Sequence, residues 1–161
     1  GRLLPKLLVG EANRQPGYPP RVGKKAEKVA EKSAHAPALA AAPAPAVSLN
    51  EFRTANGRQA LQRSPRLQAA AEAHARDMAR MGRMTHRGSN GSEVSDRVLQ
   101  QGYRFGRVAE NIAETGRGPD RVMDLWINSP SHRRNMLIKD VTHYGMAQSG
   151  DYYALVVARR R

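Results

Sequence analysis

The stretch Trp126–Leu137, WINSPSHRRNML, decides how the chain is read. Apolar residues at Val122, Leu125 and Trp126 form one side of a helix that stops at Asn128-Ser129-Pro130, where a new turn begins. Ser129 suits the cap of that turn through its hydroxyl, and Pro130 fits the first helical position, where no N–H is needed. His132 therefore follows a change of chain direction and is aimed by two packed segments. A histidine so placed can serve a polar site, with His86 and Glu110 as expected companions.

Outward from this stretch the elements fall into order. Downstream, Tyr144–Gln148 and Tyr152–Ala158 have strand character on either side of a Gly150-Asp151 turn and predict a hairpin. Upstream, Asp120 is the expected cap of the helix that stops at Asn128-Ser129-Pro130, and Val108–Ala113 reads as a short strand. A helix is expected from Glu93 to Gln101, stopped by Gly102. A longer one opens at Ser64-Pro65 and runs to Met81, with Leu67, Ala70, Ala71, His74, Met78 and Met81 on one stripe. His74 lies on that stripe and reads as a core-edge histidine. Ser48, with Glu51 three residues on, opens the first helix. The order predicts an α+β sandwich, about four helices around a small sheet, over residues 48–161.

Residues 1–47 read differently. Pro16, Pro19 and Pro20, a short Lys/Glu/Ala run and the Ala/Pro spacer HAPALAAAPAPA offer too little apolar surface to offset ordering entropy. They are expected to form a disordered leader or stalk, without a convincing signal peptide in GRLLPKLLVG. No stretch approaches the ~20 apolar residues that span a bilayer.

The 161 residues carry a net charge of +13. Eight bases against three acids precede Ser48; nineteen face eleven from Ser48 on, nearly all of them Arg and scattered. A solvated basic surface accounts for this first. The alternative is attraction to anionic lipid or glycan, whereas nucleic acid is disfavoured by the lack of an aromatic-plus-basic motif. With no cysteine, disulfides, thiol catalysis and Cys-type zinc sites are excluded.

His86, Glu110 and His132 together would suit Zn²⁺ or a similar divalent ion, or a proton relay. Their wide separations fix no ligand pair on one helical face. Taken singly, Glu110 and Asn111 can each tie down a neighbouring backbone, and His143 reads as a surface or packing residue. His35 belongs to the spacer. No GxSxG elbow exists, and Ser129 and Ser131 lie too near His132 along the backbone for an obvious nucleophile–base pair.

SLNEFRTANGRQALQRSPRLQAAAEAHARDMA, THRG, AENIA, WINSPSHRRNML and HYGMA, in this order, resemble the CAP superfamily of cysteine-rich secretory proteins, antigen 5 and pathogenesis-related 1 proteins. The likeness is to its bacterial, cysteine-free SCP-like branch and covers Ser48 to Ala158. It implies an α-β-α sandwich and a cleft with a His/acid tetrad able to bind a divalent metal. His86, Glu110 and His132 match three of the four. The family's second Glu commonly follows the helix Trp by three residues, and here that position is Ser129. Trp126, Ser129, Asn111 and Asn135 are expected around the cleft.

The resemblance further implies an extracellular, periplasmic or envelope location. The expected role is a monomeric binding module for lipid, glycan or another protein. The alternative is a metal-dependent hydrolase in which His86 and His132 hold the ion and Glu110 activates water as the base.

Overall fold

The computed structural model describes residues 2–4 and 47–161. Its elements are β1 (Arg2–Leu4), α1 (Leu49–Ala55), β2 (Gln62–Arg63), α2 (Pro65–Met81), α3 (Val94–Gln100), β3 (Phe105–Glu114), α4 (Pro119–Ile127), α5 (Pro130–Met136), β4 (His143–Ser149) and β5 (Tyr152–Arg160). The rest of the expected leader lies outside the described residues.

Local chemistry explains most of these boundaries. Ser48 Oγ accepts the Glu51 N–H at 3.1 Å, and Ser64 Oγ accepts that of Leu67 at 3.3 Å, so two hydroxyls start α1 and α2. Gly82, at φ +66°, closes α2 in a left-handed turn. Glu93 and Asp96 form a reciprocal capping box at α3. Two caps differ from expectation. Pro119 takes the first position of α4, which makes Gly118 its cap and leaves Asp120 inside the first turn, where the helix dipole favours a carboxylate. Ser129 does occupy the cap position of α5, but its hydroxyl bonds the His132 ring instead of a backbone N–H.

The sheet runs β1-β3-β5-β4-β2. The expected hairpin is the antiparallel β4–β5 pair, with β3 antiparallel to β5 on its other side. β2 pairs parallel with β4 at Gln62↔His143 and Arg63↔Tyr144; two residues are too few to display an alternation in sequence. β1 adds an antiparallel edge to β3, from Arg2↔Glu114 to Leu4↔Ile112.

Strand alternation divides the interior in two. Val108 and Ile112 of β3, with Ala154, Val156 and Ala158 of β5, pack under Leu67, Ala71 and Met78 of α2 and Val94 and Val98 of α3. Ala109 and Ala113, with Tyr153, Leu155 and Val157, pack on the opposite face against Phe52, Val122, Trp126 and Met136 from α1, α4 and α5. The result is the α+β sandwich that the element order predicts, in the helix–sheet–helix layering that the family resemblance implies.

The tightest seam joins α2 to β4. Gly145 has no room for a Cβ, which would collide with the backbone of Leu67 and Gln68. Beside it the Gln68 side chain acts as a surrogate strand. Its amide donates to Met146 O at 2.8 Å, and its carbonyl accepts the Met146 N–H at 3.0 Å, satisfying β4 beyond the end of β2.

Candidate functional site

The middle of β3 gives one polar residue to each layer. Glu110 lies on the strand face that carries Val108 and Ile112, and Asn111 on the face that carries Ala109 and Ala113. Glu110 is 1% exposed. The Arg97 guanidinium donates to its Oε2 at 2.8 Å, and His86 Nδ1 bonds Oε1 at 2.8 Å. His74 Nε2 stands 4.0 Å from the same oxygen while bonding Thr85 O at 2.7 Å, and its buried Nδ1 lacks a hydrogen-bond partner among the described residues.

Burial alone would raise the Glu110 pKa, but the nearby Arg97, His74 and His86 outweigh it and hold the pKa at about 2, below the ordinary 4.5. The carboxylate is therefore ionised at neutral pH, and the His86 Nδ1–H must be the donor. Arg97 is the residue that sequence reasoning missed. It sits in α3 between the apolar Val94 and Val98, and nothing in local periodicity marks it as the counterion of a strand thirteen residues on.

On the Asn111 side, α5 supplies the partners. Asn111 Nδ2 donates to His132 O at 3.1 Å, and Asn135 Nδ2 donates to Asn111 Oδ1 at 3.0 Å and to Glu110 O at 3.4 Å. Ser129 Oγ and His132 Nδ1 hydrogen-bond at 2.7 Å. Despite their closeness in sequence the two side chains do pair, because the cap position before a helical turn lets a serine reach the near nitrogen of a ring three residues on. His132 is fully buried. Trp126 Nε1 donates to Ile112 O at 3.2 Å and fixes α4 to the same strand. His143 packs edge-on against Tyr103 and bonds its hydroxyl at 3.0 Å.

All seven expected site residues thus gather around β3. Among the described residues no group of three His, Cys, Asp or Glu is arranged to hold a metal ion. The expected set of His86, Glu110 and His132 fails on its carboxylate, since both oxygens are taken, one by a guanidinium. The donor set does not fit a divalent ion held by this trio. Nor does so weakly basic a carboxylate suit the activation of water.

Comparisons with known proteins agree with the fold and order of motifs. Residues 48–157 match the profile of the cysteine-rich secretory protein family, CAP. The chain belongs to this family. It is 30% identical over 97 residues to the uncharacterized protein YkwD of Bacillus subtilis, covering 60% of this chain and 38% of that one. It is 27% identical over 104 residues to the uncharacterized membrane protein YlbC of the same organism, covering 65% and 30%. The chain thus spans well under half the length of these curated relatives.

Among solved structures, an extracellular SCP-domain protein of Bacillus anthracis superposes with a TM-score of 0.67 at 23% identity, covering 70% of this chain and 38% of that one. An outer surface protein of Borrelia burgdorferi gives 0.61 at 19%, covering 86% and 95%. A cysteine-rich secretory protein of Staphylococcus aureus gives 0.59 at 15%, covering 87% and 40%. Among the described residues no helix is long and apolar enough to cross a membrane.

Proposed function

We propose that this CAP domain is a non-catalytic binding module that works outside the cytoplasm, in which the polar network on β3 is a structural clamp. The observation that carries the reading is the state of Glu110, fully buried with both oxygens committed. A hydrolase needs its acid or base within reach of substrate and with a pKa near the working pH; this carboxylate has neither. The extracellular assignment is supported by the printed descriptions of the Bacillus anthracis and Borrelia neighbours.

The test has two arms. Fluorogenic peptide and ester panels should show no turnover above background, with or without added Zn²⁺. Calorimetric titration with Zn²⁺ should give no one-to-one isotherm that depends on His86 and His132. Turnover that disappears in a folded Glu110→Gln variant would overturn the proposal. So would stoichiometric zinc binding lost in both His86→Ala and His132→Ala.

A further inference from the structure

An open groove of about 570 Å³ lies along α5 and the turn that follows it. Arg58, Arg107, Arg133, Arg134 and Lys139 line it, together with Asn135 and a short apolar wall at Pro130, Leu137 and Ile138. Among the described residues no acidic one lines it. Asp140, next to Lys139 in the chain, accepts from Arg107 Nη1 at 2.7 Å and stands 3.5 Å from Arg159 Nε.

Several of these cations are held in place. Arg58 Nε donates to Leu137 O at 2.8 Å, and Arg133 donates to Asn56 Oδ1 at 3.1 Å while stacking 4.9 Å over the Phe52 ring. Arg134 and Lys139 are exposed, and neither side chain is held in an ion pair among the described residues.

The groove is backed by a further charge. Arg53 is fully buried, and its guanidinium donates to Gln59 O, Met136 O and Ile138 O, the last two flanking Leu137 in the groove wall. Among the described residues its Nη2, like the Nε of Arg107, is buried without a hydrogen-bond partner. Cations gathered at such density repel one another, and folding gains little from placing them there. A ligand with several negative charges would offset that repulsion.

We infer that this groove is the binding site for a polyphosphate-type anion, several linked phosphate groups on one soluble chain. Four of the five lining cations are arginines, whose planar forks engage phosphate oxygens in pairs. A single phosphate would neutralise only part of the lining and fill little of the volume, whereas a chain of phosphates does both and can leave through the open end. The inference deepens the binding-module reading and rests on it. Asn135 connects the two, lining the groove while its side chain bonds Asn111 and the Glu110 carbonyl.

Inorganic tripolyphosphate is the probe, titrated into the intact protein by calorimetry at near-physiological salt. The Arg134→Glu/Lys139→Glu variant should bind about tenfold or more weakly, because two charge-assisted contacts turn repulsive. Arg83→Glu/Arg104→Glu, which reverses two exposed charges outside the groove, should bind nearly as well as the unaltered chain. Equal losses in both variants would overturn the site, leaving only diffuse attraction to a basic protein. Affinity for vesicles of anionic phospholipid without affinity for tripolyphosphate would also overturn it. Neither result touches the non-catalytic reading, which the turnover and zinc titrations decide.

Discussion

Glu110 costs the fold more to bury than any other carboxylate near β3, and it is tolerated because Arg97 and His86 meet it on both oxygens. Removing the charge from one side of a buried pair strands the other. Glu110→Gln should therefore destabilise the domain by about 3 kcal/mol or more, read as a lower urea midpoint at pH 7. The same group sets an acid limit. Its native pKa of about 2 lies below the ordinary 4.5, so its stabilisation is complete above pH 4.5 and is lost as the pH falls towards 2.

His74 adds an earlier window. Burial lowers its pKa from 6.5, the neighbouring Glu110 only partly opposing this, so the unfolded chain takes up the proton first and stability falls below pH 6.5. Denaturation midpoints followed from pH 7 to pH 3 should decline in two stages, and His74→Gln should shrink the upper one. Of this arrangement only the candidates were legible in the sequence. His86, Glu110 and His132 stand out through the order of motifs around them, but the contacts of Glu110 depend on Arg97, which belongs to another element and to no motif.

At the scale of elements, sequence reading does best where one residue does the work. Ser48, Ser64-Pro65 and Gly82 begin and end helices through their own hydroxyl, ring or missing Cβ, and each boundary lies where it was expected. It does worse where two adjacent residues compete: Asp120 is a good cap in isolation, but Pro119 claims the first turn before it. β2 was illegible for a different reason, since its pairing is decided wholly by β4.

The α2–β4 seam yields a sharper test. Gly145→Ala puts a methyl group into the backbone of Leu67 and Gln68, so helix and strand must part, weakening the paired Gln68–Met146 hydrogen bonds as they do. A loss of about 1–3 kcal/mol or more is expected from guanidinium denaturation, with hydrogen exchange quickened at Met146.

At the scale of the whole molecule, the chain shows how a CAP domain stands without a cysteine. Its stability comes from two apolar clusters, one on each face of a shared sheet, and the alternation of β3 and β5 supplies both. That partition has a consequence for how damage spreads. Met78 belongs to the cluster under α2, and Met123 to the cluster under α4. Met78→Ala and Met123→Ala should each cost about 2–5 kcal/mol, as methionine truncations in packed interiors do. The double variant should lose their sum to within about 0.5 kcal/mol, because the two side chains belong to separate clusters on opposite faces of the sheet. The sheet works as a bulkhead: a breach on one side leaves the other compartment dry.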